Sequence, residues 1–387
     1  VRVVTFAMAV ALAAAPSMSA RAQVWPPGWR RVDGLAPPRS LAPIAIEPHR
    51  ARRIVALAGV LDGPVAVGND GSATFLTDEG ILGRVNPDGN LRWSLLVAPP
   101  GGAPAVGPQG TIYAAGRDGW LYAVGAAGAA LWSARLGGQP VRGVAVGAER
   151  LAVALDDGRV AFWRADGRPI GWVALGSAPS GAPALAGALA IVPTSDGLVV
   201  AVDGGRVAWR ARVAAAAVGP LAIGADGQVY AGAEDGTVAS VRADGRVLWR
   251  VAVHDAVTRS PALAEDGTVI VAAGAAVVAV SASGQLRWRA ALGAPIVAGP
   301  LVAAGDTIYV GVPRSGAGEL CALDARGAVL RRIALPAAPT RGLALFDRSL
   351  WTALEDRTLR RIEVPERGLA QSGWAKARGD VDNRGVR

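Results

Sequence analysis

Tryptophan returns along this chain at nearly fixed intervals. Trp93, Trp132, Trp172, Trp209, Trp249 and Trp288 are separated by 39, 40, 37, 40 and 39 residues. Five of the six stand four residues after a glycine, as in Gly89-Asn90-Leu91-Arg92-Trp93; the segment before Trp172, Gly167-Arg168-Pro169-Ile170-Gly171-Trp172, carries one extra residue. A period of about forty residues means one supersecondary unit stacked many times, which rules out a single unrepeated core.

Residues 99–136 show the unit clearly. Short apolar runs at 104–107, 111–115, 120–124 and 130–134 are separated by the turn sequences Pro108-Gln109-Gly110, Arg117-Asp118-Gly119 and Ala127-Gly128. Four runs of this length with Gly-rich punctuation read as four strands with no room for a helix. A four-stranded antiparallel sheet repeated at this period is a β-propeller blade. Its strands are apolar on both faces because each blade packs between two others, which suits a chain that is 51% hydrophobic and has 51 glycines. The tryptophan falls on the outer strand, where it is predicted to fill the widening gap between blades. Asp-Gly pairs recur at Asp118-Gly119, Asp157-Gly158, Asp235-Gly236, Asp244-Gly245 and elsewhere. They predict two-residue hairpin turns with positive φ at both central positions. That role makes these aspartates turn formers rather than metal ligands or acid catalysts.

Seven segments end in an outer strand; in the seventh, Arg331 takes the tryptophan position within Gly327-Ala328-Val329-Leu330-Arg331, so its packing is expected to differ. Three further strands follow at 341–345, 349–354 and 358–362, with no fourth. The missing strand is predicted at the other end, where Arg52-Arg53-Ile54-Val55-Ala56-Leu57 echoes Arg331-Arg332-Ile333-Ala334-Leu335. Closure by this N-terminal strand gives an all-β, eight-bladed propeller and removes open sheet edges; seven blades with an attached C-terminal piece is the alternative. The predicted organisation is a signal peptide at 1–22, a Pro/Arg-rich arm at 23–50, the propeller at 51–364, and a C-terminal tail at 365–387 docking on it.

The first residues follow the secretory pattern. Arg2 is followed by an apolar run at 3–15 and by Ala20-Arg21-Ala22, a small-x-small cleavage site. The run is too short to span a bilayer, and no Cys follows it. The expectation is a periplasmic or secreted protein, delivered by a Sec-type signal, without a transmembrane segment and not a lipoprotein. The net charge of +9 is almost entirely arginine and is spread through the repeats, which argues against a nucleic-acid partner. The single cysteine, Cys321, lies in an alternating strand pattern and is expected to be a buried apolar residue. His49 and His254 stand in unrelated contexts, and one histidine cannot build a multi-His metal site. Asp380-x-Asp382 begins like a calcium loop, but Arg384 takes a ligand position and no bidentate Glu follows.

The runs Ala322-Leu323-Asp324-Ala325-Arg326-Gly327 and Ala201-Val202-Asp203-Gly204-Gly205-Arg206-Val207-Ala208-Trp209 resemble the Ala-x-Asp…Gly-x-x-x-Trp repeat of the PQQ-like, quinoprotein-type propellers. The tail Gly373-Trp374…Gly379-Asp380…Gly385 is similar to a segment that flanks those propellers. The resemblance spans about residues 50–385 and points to the non-catalytic, BamB-like branch, within the wider WD40/YVTN-like superfamily. Quinoprotein dehydrogenases of this kind use adjacent cysteines over the cofactor, a calcium ion held by Glu, Asn and Asp, and an Asp base. None of that set can be carried onto this chain, so the resemblance implies no catalytic residue, no metal and no pyrroloquinoline quinone. The expected function is a non-catalytic interaction scaffold of the bacterial cell envelope, with a role in outer-membrane protein assembly. It is expected to act as a monomer that binds envelope protein partners through propeller loops such as 313–318. The alternative is a module that binds a PQQ-like cofactor, a sugar or a glycan.

Overall fold

A computed structural model describes residues 53–371, apart from 58, 62, 64 and 69. The segments read as a signal peptide and as a Pro/Arg-rich arm with His49, and the tail beyond Gln371, lie outside the described residues. Within them are eight separate sheets and no helix. Seven blades follow chain order. The first runs Ala66–Val67, Ala73–Leu76, Ile81–Val85 and Leu91–Leu96 from the axis outwards, and the fifth runs Ala222–Ile223, Val229–Gly232, Thr237–Val241 and Val247–Ala252. The eighth takes Pro339–Phe346, Ser349–Leu354 and Thr358–Glu363 from the end of the chain and its outer strand, Arg53–Ala56, from the beginning. Their antiparallel register, Arg53↔Arg361 through Ala56↔Thr358, closes the ring at eight blades.

Burial follows from position in the blade. The inner three strands are almost wholly buried, whereas the outer strand Val247–Ala252 alternates half-buried and exposed residues, as an edge strand with one packed face must. The core is accordingly a set of apolar layers between neighbouring blades. At the closure, Val65, Val67 and Phe75 of blade 1 pack with Ala344, Trp351 and Leu359 of blade 8. The buried Val and Leu side chains of such a layer each stabilise the ring by about 1.5–3 kcal/mol, and each Ala methyl by about 0.8 kcal/mol.

The Asp-Gly turns differ from the two-residue form expected. In the second blade the amide of Gly119 donates to Gly116 O, and that of Gly116 donates to Trp120 O. Only Gly119 takes positive φ, +79°; Asp118 does not. The turn is thus a four-residue type I turn closed by a glycine bulge, a geometry equally suited to right-twisted strands. The aspartate plays a separate part in it. Its Oδ1 accepts the amide two residues on, as Asp118 does from Trp120, Asp157 from Arg159, Asp235 from Thr237 and Asp244 from Arg246. This Asx turn fixes the aspartate outside the left-handed region, so one more residue is needed to reverse the chain.

The segment 313–318 also differs from its reading as an irregular loop. It is the tip of a regular hairpin between Ile308–Arg314 and Ala317–Leu323, turned by Ser315-Gly316 and braced by the Arg314–Glu319 ion pair at 2.7 Å.

Candidate functional site

The repeat tryptophans have a defined partner, and it is in the next blade. The indole Nε1 of Trp93 donates to Ala126 O, and those of Trp132, Trp209, Trp249 and Trp288 donate to Ala165, Ala243, Ala282 and Ala325 O, at 2.8–3.0 Å. Beside each acceptor lies a glycine at positive φ: Gly128, Gly167, Gly245, Gly284 and Gly327. A Cβ on any of them would stand 2.6–2.7 Å from the facing indole. Gly128, Gly245 and Gly284, each four residues before a tryptophan, therefore serve the tryptophan of the preceding blade, as Gly167 and Gly327 do ahead of Trp172 and Arg331. These contacts are structural.

Trp172 departs from the pattern and is 58% exposed. Trp249 pairs in register with Ser240, but the extra residue of blade 3 puts Gly171 in the corresponding place opposite Phe162, with Trp172 opposite Ala161. A one-residue shift moves a strand side chain to the other face. No platform awaits it either, because blade 4 turns through Gly204 and Gly205, at which an added Cβ would meet nothing. Its ring instead carries the Arg159 guanidinium, 5.1 Å from the centroid.

Arg331 departs for a different reason. The outer strand of blade 8 comes from the N-terminal side of the chain, so that blade has no hairpin turn on which a tryptophan could dock. Arg331 lies over the Tyr309 ring at 5.5 Å and pairs with Glu366 at 2.8 Å, and Glu366 also accepts from the Tyr309 hydroxyl. Burial opposes ionisation of Glu366, but the hydrogen bonds from Tyr309 and Arg331 outweigh it and hold the carboxyl below its ordinary range. The chain then runs along blade 7, with Ala303 bridging Leu369 and the Ala370 amide donating to Val302 O.

A cavity lies on the axis, at the end where the chain enters each inner strand. It measures about 560 Å³ and takes lining from every blade, through Gly63, Gly102, Pro140, Ser180, Gly219, Thr258, Gly299 and Arg341. Four arginines, 117, 142, 259 and 341, face one carboxylate, Glu234. A smaller side cavity of about 350 Å³ shares Arg259 and Arg341 and includes Asp78 and Glu355. The hydroxyls near the axis tie neighbouring blades together: Ser180 Oγ donates to Val218 O and Ser260 Oγ to Leu221 O.

Three of these arginines occupy the same place in different blades. They stand in Val141-Arg142-Gly143, Thr258-Arg259-Ser260 and Thr340-Arg341-Gly342. Arg142 is held at φ 65° and bridges to Gly102, whose missing side chain is required there: a Cβ would lie 2.1 Å from the Arg142 carbonyl carbon. Arg259 donates through Nε to Ile296 O at 3.1 Å, and its side chain lines both cavities. Burial pushes its guanidinium down to about 10, and the positive charges of Arg341 and Arg142 add to that effect. Among the described residues no carboxylate forms an ion pair with Arg142, Arg259 or Arg341. Most of the arginines do stay dispersed over the outer strands and turns, but these three meet at the axis, and the β-branched–Arg–small triplet is the signal that could have revealed them.

The remaining polar candidates lie apart. Cys321 is buried in the layer between blades 6 and 7, and burial raises its thiol pKa. His254, at φ 71°, stands in a connection between blades; the neighbouring Asp255 pairs with Arg289 rather than with it. The donor set does not fit a catalytic quinone site. The one cysteine is remote from the axis, and no cluster of three His, Cys, Asp or Glu side chains occurs among the described residues.

Comparison with known proteins agrees with this geometry. The PQQ-like sequence family described as outer membrane protein assembly factor BamB matches residues 78–233, 156–295 and 234–357. No curated protein sequence matches significantly. Among solved structures, BamB from Moraxella catarrhalis superposes with a TM-score of 0.66 at 18% identity, covering 80% of this chain and 99% of its own. The computationally designed protein Ika8 superposes equally well, with a TM-score of 0.66 at 16% identity, covering 81% of this chain and 100% of its own.

Proposed function

The chain belongs to the PQQ-like propeller family of the outer membrane protein assembly factor BamB, and from that membership we propose that it is a non-catalytic protein-interaction scaffold of the bacterial envelope. The finer reading is a role in outer-membrane protein assembly, exercised by an exported protein that needs neither quinone nor metal. One observation carries the scaffold reading: all eight blades bring their connections to one end of a rigid ring, around a funnel of about 560 Å³. Loops fixed on such a frame can be varied for recognition without disturbing the core. The aspartates that might have supplied acid–base chemistry hold turns instead. No helix among the described residues is long and apolar enough to cross a membrane.

The test is a deletion of the gene combined with photocrosslinking in the intact envelope. Outer-membrane β-barrel proteins are expected to fall in abundance on deletion. A photoreactive residue at Thr258, on the funnel, should capture a protein that one at Arg168, on an outer turn, does not. Unchanged outer-membrane protein levels together with no funnel-specific adduct would refute the reading.

A further inference from the structure

We propose that the axial funnel is a binding site for a small oxyanion carrying phosphate or carboxylate groups, held by Arg142, Arg259 and Arg341. The three side chains come from blades 3, 6 and 8 and converge on cavities that total several times the volume of a phosphate ion. Arg259 is half-buried while Arg142 and Arg341 are exposed, and gathering like charges around a partly desolvated guanidinium is unfavourable unless a negative charge joins them. The structure carries that unfavourable arrangement openly. Arg259 is held by a single hydrogen bond to a neutral carbonyl, and the charges that act on it, from Arg341 and Arg142, are both positive. Arg142 is kept in the left-handed region by the close approach of Gly102, a backbone conformation that loops retain where they hold a functional group.

The acids near the funnel leave this charge uncompensated. Glu234, Asp78 and Glu355 all lie on turns between second and third strands. Asp78 uses its Oδ1 on the Val60 amide, and none of the three pairs with Arg142, Arg259 or Arg341 among the described residues. Guanidinium forks match the oxygens of phosphate and carboxylate alike, so both chemistries fit this donor set. The inference concerns the funnel alone and stands whether or not the scaffold reading holds.

Titration calorimetry of the folded protein with pyrophosphate and with citrate, each against chloride at matched ionic strength, tests it. At least one of the two is expected to bind saturably, and the stronger assigns phosphate or carboxylate chemistry to the site. Arg259→Gln and Arg341→Gln should each weaken binding by roughly tenfold or more, while Arg168→Gln on the outer turn should leave it unchanged. Because Arg259→Gln relieves like-charge repulsion, its melting temperature without anion should equal or exceed that of the wild type, so loss of binding is separable from loss of fold. Binding of neither anion above the chloride control overturns the proposal, as does binding that survives intact in Arg259→Gln.

Discussion

A single residue position decides whether a repeat tryptophan contributes to the ring. Trp249 places its indole against Gly284 and donates to Ala282 O, whereas Trp172, one residue out of register, lies mostly in solvent. Replacing half-buried Trp249 by alanine should destabilise the protein by about 2–4 kcal/mol. The same change at Trp172 should remove under about 1 kcal/mol, since exposed positions away from packed features matter little. Denaturant unfolding of the two variants checks this, and equal losses would contradict the assignment. The glycine partner should be as sensitive as the ring it meets. Gly245→Ala puts a Cβ at φ +92° and 2.7 Å from the Trp209 indole, and is expected to remove about 1–3 kcal/mol. These contacts explain why the sequence was only partly legible at this scale. The spacing of Gly245 to Trp249 is visible as a local motif, but each member contacts a different blade, and spacing alone does not show which.

At the scale of the element, the tail beyond the last strand replaces a missing turn. Glu366 gives Arg331 the partner that Gly128 or Gly327 gives a tryptophan elsewhere. Its lowered carboxyl pKa fixes the sign of the pH effect: the stability it contributes is fully present above the ordinary value of 4.5 and is lost as pH falls through the lower folded value. Asp157, Asp235 and Asp266 share that direction, the first chiefly through its hydrogen bond with Arg159. In Asp235 and Asp266, burial works against ionisation and is outweighed by hydrogen bonds, among them those from Thr237 and Thr268 respectively. Acidification below that value should therefore lower the melting temperature of the wild type. Glu366→Gln should remove about 1–3 kcal/mol near neutrality and narrow the difference in melting temperature between pH 7 and pH 3. An unchanged difference would separate Glu366 from acid stability. The exchange was signalled in the sequence by Arg331 at the tryptophan position, but Glu366 was not, because the tail has no repeat from which a partner could be predicted.

For the molecule as a whole, blade number and closure were legible because both are written in a local unit that recurs. The strand at Arg53–Ala56 could be recognised as the counterpart of Val329–Leu335 without knowing where either lay. The funnel was not legible in this way: Arg142, Arg259 and Arg341 are far apart along the chain and meet only once the ring exists. A variant lacking everything before residue 58 would leave the strand Thr358–Glu363 as an open edge. It should melt roughly 10 °C lower or self-associate. Appending residues 51–57 after the C-terminus through a flexible linker should recover the loss. A truncated chain that melts at the wild-type temperature would show that the closing strand is dispensable.

The pairing of Arg53 with Arg361 also sets a timetable. A chain that emerges N-terminus first presents the strand Arg53–Ala56 before the other strands of the ring and its mate, Thr358–Glu363, after them. Throughout that interval the early strand has unpaired amides and carbonyls that any other extended chain could recruit. Blades 1 to 7 can assemble in sequence as they appear, each on the one before it. The eighth makes the process all-or-nothing at the end, so the slowest event in folding should be the capture of a segment that has been available longest.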